Sequence, residues 1–457
     1  MASQHPYLTA SIGPSLLRLA TPNIIAMSFM LIAAVMEAWF VSHIGTVALA
    51  GLALAFPMFM LMIMLSAGAF GGAITGSIAQ RLGANNRNDA EALALNGLVL
   101  SLFLSTVSTG VFLGAGQLIY SFLGGKGAVL EQTLAYSDSL FWGCTSIWIA
   151  NTLAGITRAT GNMWTAAINL VAGSVVQVFV SAVLIYGIGP FPEMGISGAA
   201  IGVVAGYLFA SLLLIRYLMA HCPELKLKFT SAKIRLVSMS TIFKVGILSS
   251  LNPICSVASV IAMTSFMTQF GAETLAGFGI GARLEFLMIP MIFGFGTAST
   301  AMIGVNFGAN QNKRSYRIGW TASLFAALLV GSIGALFAIF PEIWIDLFTN
   351  VAGVQLVAKS YLTIVGPFYF LFGLALCLYF ASQGAGRVLW PVLGVVFRLV
   401  IILCGGLMLI GYNITEPSYF YYLIAAGFIA QALTSASSVY FGAVSYTHLT
   451  LPTTWLV

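Results

Sequence analysis

The sequence predicts an all-α integral membrane protein, with twelve transmembrane helices in two pseudo-symmetric six-helix lobes. Three observations predict it. Of 457 residues, 60% are hydrophobic and only 7% charged, with a mean hydropathy of +1.00, whereas a soluble domain carries about 25% charged residues. Apolar runs long enough to cross a hydrocarbon core, which takes about 20 residues, recur twelve times. Finally, three short motifs of the first half return in the second at nearly one offset. Lipid must be the main solvent, which excludes a soluble enzyme, a secreted disulfide scaffold and a disordered regulator. The start MASQHPYLTASIGP lacks the basic-then-apolar order of a cleavable signal, so none is expected.

The spans lie at 14–41, 52–79, 91–118, 131–155, 162–187, 195–219, 237–268, 274–304, 316–339, 356–382, 389–411 and 419–444. Each must be helical, because the backbone cannot cross lipid unpaired. The charges between them alternate. Arg18, Arg81, Arg87, Arg158, Arg216, Lys226, Lys228, Lys233, Arg235, Lys244, Lys313, Arg314, Arg317 and Arg387 fall on one side, and only Lys126 and Lys359 on the other. That other side collects Glu131, Asp138, Glu193, Glu273, Glu342, Asp346 and Glu416. Basic loops face the cytoplasm, which puts both termini there in a multi-pass protein of the cell membrane (the inner membrane if the source is bacterial). Arg283 and Arg398 are left within or near spans. The net charge of +6 is therefore read as topological, and no nucleic-acid partner is expected.

GTVALAG at 45–51 returns as GAETLAG at 271–277, GANNRN at 83–88 as GANQNK at 308–313, and TRATGN at 157–162 as SQGAGR at 382–387. Each pair occupies the same point of its half. The chain therefore reads as a duplication: an N-terminal lobe at 14–220, a basic linker at 221–236 and a C-terminal lobe at 237–444. Repeats that meet at a central site are the usual build of secondary transporters. With six spans per half, both copies have the same orientation in the membrane. The segment 445–457 (SYTHLTLPTTWLV) reads as an adaptor-encoded, non-native tail and is set aside.

The individual residues carry a resemblance. Pro22 is followed fifteen residues later by an acid, then by G-x-x-x-L-A-G, then by RLGANNR after the second span. The long run GFGIGARLEFLMIPMIFGFGTASTAMIGVNFGANQNKRSYR at 277–317 is the most specific feature. Over residues 14–444 the chain resembles the multidrug and toxic compound extrusion (MATE) transporters, in their proton-coupled DinF-like branch. The resemblance implies a V-shaped fold and export of small cationic or amphipathic drugs and dyes in exchange for protons or sodium. A monomer, surrounded by lipids, is expected.

Glu37 is the leading candidate. It lies in the apolar run IIAMSFMLIAAVMEAWFV with no nearby base, and an ionisable group inside a span is costly and marks function by default. The helix leaves lipid near His43, so Glu37 lies roughly 9 Å below the edge. Desolvation penalises the charged carboxylate, as a proton carrier requires. In the resembling family this acid is usually Asp, so Glu is a departure. Pro22 cannot donate to the carbonyl of Arg18 and permits a bend. The resemblance implies that the first helix bends there when the acid is protonated. Tyr136, Asn151, Asn169, Gln177 and Ser181 are candidate cavity or substrate-binding residues. Gln177 and Ser181 share a helix face and match family positions that often carry Asn and Asp. Met27, Phe29, Met30 and Trp39 are candidates for cavity lining on the first span.

Spans seven and ten contain no acid, whereas sodium-coupled members of the resembling family carry acids there. A bare ion needs several oxygen ligands, so protons are favoured as the coupling ion over sodium and no cofactor is expected. Arg283 and Glu285 form a secondary polar pair of positions in span eight; two apart on a helix, they cannot pair with each other, and a brace to a neighbouring helix is expected. The related lipid-linked-precursor flippases are an alternative that would want a more basic cavity. An enzyme is not expected, because HExxH, GxSxG and an intramembrane His–Asp cluster are all missing from the sequence. The five cysteines are scattered without metal-type spacing.

Overall fold

Lipid offers the backbone no hydrogen-bond partner, so a membrane chain closes its bonds within helices. The computed structural model is helical in this way, with no strand among the described residues. It describes residues 6–222, 224, 225, 227, 236–414 and 416–444. Most of the linker read at 221–236, with Lys226, Lys228, Lys233 and Arg235, and the whole of 445–457 lie outside the described residues.

Eleven helices among the described residues are long and apolar enough to span a membrane. The remaining span is the fourth, which the sequence reads as one run at 131–155. It is split into α5 (Gly127–Trp142) and α6 (Cys144–Ala159), each of 16 residues. The break falls at Gly143, where a Cβ would come within 2.4 Å of Val204 of α8 (Ile196–Ala220). A close helix crossing therefore interrupts this span, and each half alone is too short to cross lipid.

Two other spans bend without ending. Between α2 (Thr46–Ile63) and α3 (Gly71–Gly83) the chain makes a π turn over Met64–Phe70, a feature that widens a helix locally. Between α13 (Ala352–Val365) and α14 (Tyr369–Ala385) a 3-10 turn spans Gly366–Phe368, where Pro367 withholds its amide. The remaining long helices are α1 (Ile12–Ser42), α4 (Arg87–Phe122), α7 (Met163–Tyr186), α9 (Leu236–Thr268), α10 (Ala272–Gly308), α11 (Asn312–Ile339), α15 (Leu389–Gly411) and α16 (Ser418–Val444), with a short α12 at Glu342–Ile345.

The chain divides into two compact units, one of Leu17–Pro253 and one of Met1–Leu16 with Ile254–Val457. In the first, α7 and α8 pack backbone to backbone. Gly198, Gly202 and Gly206 recur every fourth residue on α8, and a Cβ on Gly206 would lie 2.5 Å from the carbonyl oxygen of Gly173. Such small-residue faces let membrane helices approach where apolar burial gives no driving force. In the second unit, Asn306 donates to the Tyr7 carbonyl at 3.0 Å and Arg314 donates to the carbonyls of Tyr7 and Ala10, which ties the entry to α1 onto α10 and α11.

The duplication is written into the backbone. Asn85 and Asn310, 225 residues apart, both take the left-handed conformation, with φ of 57° and 60°. Each ends a helix through the same pair of bonds: Asn85 N–H to the Leu82 carbonyl and Asn86 N–H to Arg81, Asn310 N–H to Phe307 and Gln311 N–H to Asn306. Gly45 and Gly271 precede α2 and α10 with φ of 147° and 92°, and Gly161 and Gly386 follow α6 and α14 with φ of 90° and 71°. The three motif pairs recur because each supplies a residue able to hold positive φ.

Candidate functional site

The first unit gathers polar groups around one carboxylate. Glu37 lies on α1 with only 4% of its surface exposed. Its Oε1 accepts from the Tyr136 hydroxyl of α5 at 2.8 Å and its Oε2 accepts from Nε2 of Gln177 of α7 at 2.9 Å. Both donors are neutral, and among the described residues no basic side chain pairs with the carboxylate. Ala33, one turn back on α1, is itself buried. The site is thus a buried carboxylate held by two hydrogen bonds from two other helices, so it can take or lose a proton without breaking an ion pair.

A cleft adjoins it, lined by Met30, Leu170, Gly173, Ser174, Gln177, Gly206, Tyr207 and Ala210, with a volume of about 10 Å³. That is room for about one water molecule. Gln177 belongs to both the cleft and the carboxylate, so movement at one is felt at the other. The Tyr207 hydroxyl is buried without a hydrogen-bond partner among the described residues. Met30 lines this cleft, whereas Phe29 is 45% and Trp39 54% exposed.

The other candidate residues occupy different places. Asn151 of α6 donates from Nδ2 to the Ser66 hydroxyl at 2.8 Å, bracing the π turn. Ser181 is fully buried and donates to the Ala199 carbonyl at 3.4 Å; Gly202 of α8 leaves the space for it. Asn169 is half-buried on α7 and does not bond Glu37. Pro22 is buried within α1. Arg283 and Glu285 of α10 do not pair with each other: the Arg283 guanidinium lies 5.5 Å from the Phe348 ring centre, and Glu285 accepts from Arg398 of α15 at 3.0 Å.

Two features escape a reading of the sequence. Arg158, counted there among loop charges, is only 2% exposed and donates from Nε to Oδ1 of Asn23 at 3.4 Å. This ties α6 to α1 one residue beyond Pro22. The Glu285–Arg398 pair joins helices α10 and α15; the sequence marks both as charges within apolar spans but does not say that they are partners.

A family model for MatE matches residues 22–183 and 249–408. A probable multidrug resistance protein NorM of Thermotoga maritima is 26% identical over 390 residues, covering 84% of this chain and 82% of that protein. An FAD transporter of Shewanella oneidensis is 24% identical over 325 residues, covering 69% of this chain and 70% of its own. Among solved structures, an MOP superfamily transporter from Pyrococcus furiosus superposes with a TM-score of 0.89 at 23% identity, covering 98% of this chain and 100% of that one. Its likeness shows the fold.

Proposed function

Since the chain belongs to the MatE family of membrane transporters, we propose that it is a multidrug efflux antiporter, exporting cationic or amphipathic compounds in exchange for protons. The observation that carries this reading is Glu37: a buried carboxylate held only by the neutral donors Tyr136 and Gln177. A proton entering from outside neutralises it. The neutral acid no longer attracts a cation, and its hold on Tyr136 and Gln177 weakens, because hydrogen bonds to a charged acceptor are the stronger ones. With that hold released, α1 and α7 are freed to shift relative to each other and expel the substrate outward. Pro22, which leaves the α1 ladder one bond short, gives α1 a place to bend. Exchange follows because proton and substrate bind the two shapes of the site unequally. The loop charges support a cytoplasmic position for both termini. The Thermotoga relative, named a probable multidrug resistance protein, supports export of drugs.

The test uses everted vesicles acidified inside by respiration and a trapped pH-sensitive dye. Addition of tetraphenylphosphonium, a lipophilic cation, is expected to release protons from vesicles carrying the protein and not from empty ones. Proton release that requires sodium, or none at all, would contradict the reading.

A further inference from the structure

The second unit has a polar centre of its own, built around a base. Arg398 is 2% exposed, and its one hydrogen bond among the described residues runs from Nη2 to Oε1 of Glu285 at 3.0 Å. Among the described residues its Nε and Nη1 have no partner. Such orphaned donors on a buried charge are rare, and each calls for an explanation. Aromatic rings cover the guanidinium faces: its carbon lies 4.6 Å from the Phe428 ring centre and 5.7 Å from that of Phe372. Rings can satisfy the faces of a guanidinium but not the N–H groups in its plane. Close by, the Tyr421 hydroxyl is also fully buried without a partner, and its ring packs edge-on against Tyr361 at 5.3 Å.

The duplication says what this place is. Arg398 lies 225 positions beyond Gly173, and Tyr361 lies 225 beyond Tyr136, the offset of the repeated motifs. Gly173 lines the cleft of the first unit, and Tyr136 holds its carboxylate. The second unit has therefore put a guanidinium where its sister has open cleft, beside the same tyrosine position. Room was made for it: a Cβ on Gly427 of α16 would lie 2.8 Å from Cγ of Arg398.

We infer that Arg398 is a receptor for the oxyanion of an amphipathic ligand: a carboxylate, sulfonate or phosphate on an aromatic or apolar body. Nη2 belongs to both edges of the guanidinium fork. A ligand oxyanion taking Nη2 with Nε or Nη1 would form the bidentate pair that Glu285, bound through one oxygen, does not. Glu285 holds the site until the ligand displaces it, and the rings of Phe372, Phe428, Tyr361 and Tyr421 receive the body. This second site widens the range of exported compounds to zwitterions and anions and does not rest on the proton carrier at Glu37.

The probes are 2-naphthoate and its neutral isostere 2-naphthamide, titrated by calorimetry into the purified full chain in lipid nanodiscs, with no ion gradient. Wild type is expected to bind naphthoate at least about tenfold more tightly than naphthamide, the factor that a hydrogen bond to a charged group implies. Arg398→Met is expected to abolish that preference. Glu285→Gln keeps the guanidinium and removes its internal competitor, so it is expected to enlarge the preference by several-fold; it decides the matter even if Arg398→Met fails to fold. Equal binding of the two probes in wild type, or a preference that Glu285→Gln leaves unchanged or lowers, would overturn the assignment and leave the pair as a brace between α10 and α15.

Discussion

Glu37 has two oxygens and two donors, one from each neighbouring helix, so each donor can be removed alone. A hydrogen bond to a charged group contributes about 1.5–3 kcal/mol. Tyr136→Phe and Gln177→Leu should each lower proton-driven efflux about tenfold while leaving the amount of folded, membrane-inserted protein near wild type. Initial efflux rates, normalised to protein in the vesicle, check this; an unchanged rate in both variants would remove the donors from the mechanism. These residues were legible in the sequence because each is polar within an apolar run, where lipid makes an unneeded polar group expensive. Their partners were less so. Ser181 shares with Gln177 the face that packs on the glycine row of α8, at Gly202 and Gly206, yet it bonds the Ala199 carbonyl while the longer Gln177 side chain reaches Glu37. The Arg158–Asn23 and Arg398–Glu285 contacts depend on which helices touch, and hydropathy carries no such information.

At the level of the element, α1 combines an acid near one end with Pro22 near the other. Pro22→Ala would restore the missing bond to the Arg18 carbonyl. It is expected to hold or raise the thermal unfolding midpoint while slowing coupled efflux several-fold, since a full ladder resists bending. Efflux at the wild-type rate with a higher midpoint would show that bending at Pro22 is not required. The α7–α8 crossing gives the opposite prediction. In Gly206→Ala the new methyl would meet the Gly173 carbonyl at 2.5 Å, and overpacking of this kind costs about 1–3 kcal/mol. The unfolding midpoint should fall by several degrees, and Gln177, whose Cβ lies 2.8 Å from that methyl, should be displaced from Glu37. Apolar run length is enough to find most of these helices. It missed the break at Gly143 because a glycine between two apolar stretches looks continuous to hydropathy, and only the approach of Val204 shows why the helix stops.

Over the whole molecule, the duplication was plain from three motifs, and the backbone gives its reason: positive φ at the same places in both halves. The halves have diverged in charge. The first carries Glu37, with neutral donors, and the second carries Arg398 with Glu285. A repeat fixes the position of a polar centre but not the sign of its charge, so the second centre could not be read from the first. Coupling to protons is assigned to Glu37 in the first half alone.

The measurement that tests this most directly is efflux of a fluorescent cationic dye from proteoliposomes under an imposed pH gradient, for wild type and Glu37→Gln, with and without sodium. Wild type is predicted to exchange dye for protons regardless of sodium. Glu37→Gln, whose amide cannot exchange a proton, is predicted to move no dye against the gradient while remaining inserted and folded. Transport by Glu37→Gln at the wild-type rate, or efflux driven only by sodium, would contradict it and move the coupling away from Glu37.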